Sequence, residues 1–172
     1  MTDKASSIPG EHDLWFCPLG GTGEIGMNLS LYGHAGAWLM IDLGITFGGD
    51  RFPDYDVMMA DPGFIEQQRE RLAGLVLTHA HEDHIGAIPY LWRRLHCPVY
   101  ATPFTAALVR MKCARAGIDE LPLIELDLGQ RFRVGPFELE YVTMTHSIPE
   151  PNAVFISTPP GAVLHTGDWK LD

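Results

Sequence analysis

The sequence predicts a mixed α/β fold in which strands outnumber helices. Short segments such as 28–32 and 137–141 alternate apolar and polar residues with period two, which is typical of half-buried strands. Only two or three segments have helical spacing, and potential metal ligands stand where predicted strands end. With 172 residues, 46% of them hydrophobic, the chain can form one domain-sized core.

The amino-terminal part predicts three strands around a glycine loop. Segment 14–19 reads as a strand, and residues 21–26 spell G-x-G-x-x-G, the dinucleotide-binding fingerprint. That fingerprint requires a helix next, whereas 28–32 and 37–41 read as two antiparallel strands. We therefore favour another role, in which the glycines let the backbone approach the metal site described below.

The middle of the chain leads to a buried strand at 72–77. Asp42 ends the strand 37–41, and its carboxylate could form a turn or orient a metal-bound histidine. Both interpretations of Asp42 stay open. Residues 45–60 are rich in glycine and proline and predict a loop, and 61–72 predicts a short helix.

The highest density of potential metal ligands follows that strand, in the string THAHEDHIG at 78–86. It predicts a junction between the strand and a helix at 86–95, where His79, His81, Asp83 and His84 can converge. Imidazole and carboxylate ligands suit zinc, or a neighbour such as manganese, and their number implies two ions. A solvated polar loop is the alternative, but H-x-H-x-D-H directly after a strand is rare by chance.

The second half of the sequence predicts one long helix and five strands. A strand at 98–101 precedes a helix that begins at Pro103, capped by Thr102, and ends near Ala116. Its predicted inner face comprises Phe104, Ala107, Leu108 and Met111. A hairpin at 131–134 and 137–141 runs on to His146, and strands 152–157 and 162–166 follow, the last leading to Asp168.

Six residues at strand ends can then be assembled into one centre. His79, His81 and His146 would hold one ion, Asp83 and His84 would hold part of a second, and Asp168 could bridge both. Asp83 could also accept a proton from water, and Glu82 could support the ligands or form a salt bridge. The remaining histidines, His12, His34, His96 and His165, are assigned structural roles.

Net charge, apolar stretches and cysteine spacing argue against several other classes of protein. The net charge of −10 argues against broad electrostatic wrapping of nucleic acid. Residues 1–13 predict a flexible polar tail without a signal sequence, and no stretch is apolar enough to span a bilayer, so we expect a soluble cytoplasmic protein. The three widely spaced cysteines predict buried free thiols rather than disulfides.

Four motifs in order resemble the metallo-β-lactamase superfamily and, within it, its β-CASP branch with the ribonuclease J family. They are GGTGEIGMN at 20–28, THAHEDHIGAIPYL at 78–91, HSIP at 146–149 and HTGDWKLD at 165–172. The resemblance implies an αββα sandwich, with 14–172 as its amino-terminal part and the β-CASP domain absent from this chain. Asp42 matches the family's first motif, 79–84 the second, His146 the third and Asp168 the fourth.

The resemblance also implies an activity. Two divalent ions, zinc in preference to manganese, would lie roughly 3.5 to 4 Å apart and activate water against an RNA phosphodiester. The catalytic residues would be Asp83 and Asp168, and Asp42 and Glu82 would support the ligands. The family implies 5′-to-3′ exonuclease or endonuclease action in RNA maturation and decay, by a homodimer or homotetramer of the full-length form.

Other functions stay open at this point. A DNA nuclease or a thioesterase of the same superfamily would use the same ions. An inactive binding fragment is the alternative outside enzymes. The resemblance places one further histidine and the 5′-phosphate pocket in later parts of such proteins, so we expect residues 1–172 alone to cleave RNA poorly and to expose an apolar sheet face.

Overall fold

The computed structural model describes residues 8–171, which form two stacked β-sheets with helices on one outer face. The strands are β1 Trp15–Gly20, β2 Leu29–His34, β3 Ala37–Ile41, β4 Ile45–Phe47, β5 Val57–Met59, β6 Leu72–Val76, β7 Val99–Ala101, β8 Leu123–Glu125, β9 Arg131–Val134, β10 Phe137–Thr143, β11 Asn152–Thr158 and β12 Gly161–His165. The α-helices are α1 Gly63–Glu66, α2 Glu82–Ile85, α3 Ile88–Leu95 and α4 Pro103–Arg115. Two short 3₁₀ helices span Gly49–Arg51 and Arg69–Arg71.

The first sheet is mixed and the second is antiparallel. The first has the order β1-β2-β3-β6-β7-β8, antiparallel among β1, β2 and β3 and parallel from β3 to β8. The second has the order β12-β11-β10-β9, and β4 and β5 form a separate hairpin. The antiparallel pairing of β1 with β2 and β2 with β3 confirms that no Rossmann helix follows the glycine loop.

Alternation along the strands builds two cores. In β3, Leu39 and Ile41 pack towards the second sheet, and Trp38 and Met40 pack towards the helices. The core between the sheets includes Tyr32, Val76, Val134, Phe137, Leu139, Tyr141, Val154 and Ile156. The core under the helices includes Leu75, Leu77, Val99, Leu91, Trp92, Ala106 and Val109. The helices, the first sheet and the second sheet are three of the four layers of an αββα sandwich.

The outer face of the second sheet carries the exposed apolar surface that the sequence predicts. Phe155 is 38% exposed and its cross-strand partner Leu164 is 49% exposed. On the neighbouring strands β9 and β10, the pairs Arg131–Glu140 and Arg133–Glu138 make the same face charged. The exposed face is therefore apolar at strands β11 and β12 and charged at strands β9 and β10.

Several sequence predictions of local structure were wrong. The predicted loop at 45–60 contains β4, β5 and a 3₁₀ turn, and the helix predicted at 61–72 is reduced to Gly63–Glu66 and a second 3₁₀ turn. The helix predicted at 86–95 starts at Ile88, and a separate four-residue helix, α2, contains Asp83 and His84. Short elements carry too little periodicity to be recognised, and β8 was missed for the same reason.

The buried face of α4 also differs from the prediction. Ala106, Val109 and Cys113 are buried there, whereas Met111 is 42% exposed and Ala107 is exposed. Apolar residues surround much of this helix, so their spacing alone did not specify which side faces the sheet.

The predicted flexible tail covers 1–13, of which 1–7 lie outside the described residues. Residues 8–13 are bonded to the β2–β3 turn: Gly36 N donates to Pro9 O at 2.7 Å, and Ala35 N donates to Gly10 O at 3.0 Å. The prediction of a tail was therefore wrong for 8–13. Among the helices of residues 8–171, none is long and apolar enough to cross a membrane.

Candidate metal centre

The predicted ligands meet where the ends of both sheets come together. His79 and His81 follow β6 of the first sheet, and His84 lies in α2. His146 follows β10 and Asp168 follows β12, both in the second sheet. The site therefore lies where strand ends of the two sheets meet, and its ligands follow strands as the sequence predicts.

Three histidines form the first cluster. His79 Nε2 lies 3.0 Å from His81 Nδ1, and His146 Nε2 lies 3.1 Å from the same atom. A neutral imidazole nitrogen has one lone pair or one hydrogen, so His81 Nδ1 cannot make a good hydrogen bond to both neighbours at once. Three converging nitrogens are instead a donor set that fits a zinc ion.

The protonation of this cluster suits a metal. Burial, together with the positive charge of His84, lowers the pKa of His79 to about 4. Burial and the neighbouring His146 lower the pKa of His81 below its usual value. Both rings are therefore neutral at pH 7, and metal ligation requires the neutral form of histidine.

The second cluster combines histidine with carboxylates. Ligand atoms of His79, His84 and Asp168 lie within 4.8 Å of one another. His84 Nε2 lies 3.4 Å from Asp168 Oδ1, and Asp83 lies beside this cluster with its Oδ2 3.5 Å from His84 Nε2. Asp168 Oδ2 also lies 3.7 Å from His146 Nε2. Asp168 therefore contacts a histidine of each cluster.

Asp42 contacts His84 on the side of the ring opposite the ligand clusters. This carboxylate is 1% exposed, and its Oδ2 lies 2.7 Å from His84 Nδ1. It also accepts hydrogen bonds from Thr78 N and Thr78 Oγ1, each at 2.8 Å. Of the two interpretations left open for Asp42, these contacts favour the orienting carboxylate, since they leave His84 Nε2 directed at the ligand cluster.

The same carboxylates control the charge of His84. Burial opposes the charged ring, but Asp42, Asp168 and Asp83 outweigh it and raise the pKa of His84 to about 12. Asp42 in turn has its pKa lowered, because the charge and hydrogen bond of His84 outweigh its burial. His84 is therefore an imidazolium in the metal-free chain, and a metal at its Nε2 must displace a proton.

Sequence reasoning missed two residues at this site, Thr78 and Asn28. Both the backbone N and the side-chain Nδ2 of Asn28 donate to Asp83 O at 3.0 Å, and Nδ2 also lies 3.5 Å from Asp83 Oδ2. The available signal was their place inside motifs: Asn28 ends GGTGEIGMN and Thr78 begins THAHEDH.

The glycines around Asn28 allow this close approach. A Cβ at Gly21, where φ is +81°, would lie 2.2 Å from Asn28 Oδ1, and one at Gly44 would lie 1.6 Å from Asp83 O. Such contacts are sterically impossible. The glycine loop thus packs against the site through Asn28, in agreement with the predicted close approach of the backbone.

Glu82 forms an ion pair with Lys112 of α4, which is the salt bridge that the sequence left open as one of two alternatives. Its supporting role stays a prediction. His165 Nδ1 lies 3.0 Å from Tyr32 OH, and His34 Nδ1 lies 2.8 Å from Asp13 O. His12 is exposed, as is His96, which ends α3 in a left-handed conformation. The structural roles predicted for His34 and His165 fit these contacts.

Comparison with known proteins agrees with this geometry. The family model of the metallo-beta-lactamase superfamily matches residues 23–169. The chain belongs to the metallo-β-lactamase superfamily. Two solved structures share the superfamily fold with this chain. The metallo-beta-lactamase fold protein YhfI from Bacillus subtilis aligns with 91% of this chain and 63% of its own, at a TM-score of 0.62 and 16% identity. A protein of unknown function from Enterococcus faecalis V583 aligns with 92% of this chain and 44% of its own chain, at a TM-score of 0.65 and a sequence identity of 18%.

Sequence relatives are more specific. Ribonuclease J of Sinorhizobium meliloti is 48% identical over 167 residues, covering 94% of this chain and 30% of that protein. Ribonuclease J of Mycobacterium tuberculosis is 43% identical and that of Helicobacter pylori 37% identical, each over 90% of this chain. The chain spans 28% and 23% of the length of these two relatives. The predicted fold and the resemblance to ribonuclease J are thus confirmed for this member of the metallo-β-lactamase superfamily.

Proposed function

We propose that this chain supplies the metal-binding part of a ribonuclease that hydrolyses RNA phosphodiester bonds. The observation that carries the proposal is the convergence of three separate segments, which contribute His79, His81 and His84, then His146, and then Asp168. The 37–48% identity to proteins named ribonuclease J supports RNA as the substrate. We infer two divalent ions, zinc in preference to manganese, because nitrogen donors dominate the first cluster.

Each residue has a distinct role in this proposal. His79, His81 and His146 would hold one ion, His84 and Asp83 would hold a second, and Asp168, which contacts a histidine of each cluster, would be a ligand to either. Such a pair of ions lowers the pKa of water and offsets the charge of the phosphodiester. Asp42 keeps His84 in the orientation that leaves Nε2 free for this purpose.

The two acidic residues at the site differ in the role they suit. The hydrogen bond from His84 lowers the pKa of Asp168 to about 2, so this carboxylate stays ionised and suits permanent ligation. The pKa of Asp83 is lowered as well, because the hydrogen bond and charge of His84 outweigh its burial. We assign Asp83 to accept or relay the proton of the attacking water, because Asp168 contacts a histidine of each cluster whereas Asp83 lies beside His84.

The wider setting is also inferred from the ribonuclease J-like sequence. We propose that the full-length polypeptide has a β-CASP domain, acts as a 5′-to-3′ exonuclease or an endonuclease, and takes part in rRNA processing and mRNA decay in the cytoplasm. A homodimer or homotetramer is the expected assembly.

The test uses the full-length polypeptide that carries this sequence, freed of metal by a chelator. Zinc or manganese should restore cleavage of a 5′-monophosphorylated RNA, while the His81→Ala variant should stay inactive. A DNA strand of the same sequence and a glutathione thioester serve as competing substrates. Cleavage of DNA or of the thioester without cleavage of RNA would contradict the proposal.

A further inference from the structure

The loop that carries His146 is attached to helix α4 through Glu150. This loop connects β10 to β11, and Glu150 lies four positions after His146. Glu150 Oε2 accepts a hydrogen bond of 2.9 Å from Phe104 N, in the first turn of α4. A carboxylate at this end of a helix also interacts favourably with the helix dipole.

Glu150 supplies an interaction that the sequence had assigned to Thr102. The backbone position of Thr102 is that of an N-cap, but its side chain makes no capping hydrogen bond. Its hydroxyl lies 3.4 Å from Thr105 Oγ1 instead. The first N–H groups of a helix need partners outside the helix, and Glu150, 46 residues further along the chain, provides one for Phe104.

The backbone of Glu150 is held in an unfavourable conformation. Its φ of +55° lies in the left-handed region, which is unfavourable for a residue other than glycine. Neighbouring bonds retain it: Asn152 Nδ2 donates to Glu150 O at 2.8 Å, and Asn152 N donates to Thr78 O at 3.1 Å. Thr78 directly precedes His79, so the same bonds tie the His146 loop to the other ligand segment.

Helix α4 therefore contacts both ligand-bearing regions. Its first turn binds Glu150, and its last turn carries Lys112, which pairs with Glu82 beside Asp83. We propose that Glu150 is a positioning residue that sets the place of His146 relative to His79 and His81. This inference rests on the metal binding in the proposed function and identifies what makes the trihistidine cluster ready for an ion.

The experiment is a titration of the metal-free, full-length polypeptide with Co²⁺ and Zn²⁺. Glu150→Ala should weaken the first metal site by about 10-fold, the lower end for residues that hold metal ligands in place. It should also change the visible absorption of Co²⁺ bound to the three histidines. Glu150→Gln should largely rescue both properties, because its amide oxygen can still accept from Phe104 N.

Two further variants separate positioning from fold stability. Glu150→Gly removes the carboxylate but favours the left-handed backbone, so it should lose metal affinity as Glu150→Ala does; it also carries the test if the alanine variant does not fold. Glu125→Gln is the matched control, since Glu125 pairs with Arg110 on the exposed side of α4 and should leave affinity unchanged.

The possible failures are distinguishable. If the unaltered protein binds no metal, the metal-binding part of the proposed function fails. If it binds metal, and Glu150→Ala and Glu150→Gly bind it with unchanged affinity and spectrum, Glu150 serves stability alone and the inference is overturned. A lower melting temperature of the metal-free variants would not rescue it.

Discussion

The two ligand clusters use histidines from one short string but differ in charge. His79 Nδ1 faces the neutral hydroxyl of Thr78 at 3.0 Å, whereas His84 Nδ1 faces the buried carboxylate of Asp42 at 2.7 Å. Burial and the charge of His84 keep the ring of His79 neutral, whereas the ring of His84 holds a proton between carboxylates. The group behind each imidazole, rather than the imidazole itself, decides how the cluster responds to a metal.

This difference predicts an order of metal binding. The neutral rings of His79 and His81 can accept an ion without losing a proton, while His84 must release one. Once the proton is gone, however, the carboxylates of Asp168 and Asp83 favour a cation strongly. The trihistidine cluster should therefore bind its ion at a lower pH than the His84 cluster does. The affinity of the His84 cluster for its ion should depend more strongly on pH.

The largest effect is expected from Asp168→Asn. This carboxylate contacts His84 at 3.4 Å and His146 at 3.7 Å, so its loss should weaken both clusters. A direct ligand should matter at least as much as a supporting residue, so we expect affinity to fall by about 100-fold or more at both sites and RNA cleavage to be lost. Equilibrium dialysis with metal analysis would measure both sites.

His81→Ala is the comparison for that variant. His81 belongs to the trihistidine cluster alone, so one ion should remain bound near His84. If Asp168→Asn loses only one ion, as His81→Ala does, Asp168 does not act between the clusters.

The pH dependence of binding should separate the clusters next. Because the pKa of His84 is raised to about 12, its ring stays protonated across pH 6–9, and the second site should gain about tenfold in affinity per pH unit. Because the pKa of His79 is lowered to about 4, the first site should change little above pH 7. Calorimetry in buffers of different ionisation enthalpy counts the protons released by each ion.

Asp42→Asn provides the control for this measurement. Without the buried carboxylate, the pKa of His84 should fall, and the second ion should release less than one proton. Equal proton release at both sites of the unaltered protein would show that the clusters do not differ as the structure indicates.

The smallest effect is expected from Asn28→Ala. The variant removes the contacts of Nδ2 with Asp83 O and Oδ2, at 3.0 Å and 3.5 Å. The contacts within the trihistidine cluster stay unchanged. We expect the second site to weaken by about 10-fold and the first to serve as an internal reference. Cobalt titration followed by absorption would report both sites, and equal loss at the two would contradict this division.

The predictions from sequence succeeded where the signal was local and repeated. Period-two alternation located the strands around the hairpin at 131–141, and the unbroken apolar run before Thr78 located β6. The predictions from sequence failed at α2 and β8, which are too short to show a period. They also gave the wrong buried face for α4, because that face depends on what packs against the helix.

The candidate site shows the same division. Residue types and their spacing within THAHEDH indicated a metal site, because several imidazoles and carboxylates so close together have few other uses. Their place at strand ends joined His146 and Asp168 to that string, and the resemblance to a family matched these two and Asp42 to its motifs. The role of Asn28 was not recognised, since an amide that contacts a backbone carbonyl 55 residues away leaves no pattern in sequence.

The sequence by itself determined which donors are available and that they follow strands. Tertiary structure alone decided that two sheets bring their ends together, that Asp42 rather than solvent faces His84, and that α4 receives Glu150. The physical reason is that charge, orientation and pKa depend on which atoms lie within a few ångströms. Those neighbours come from distant parts of the chain and are fixed only when its layers pack.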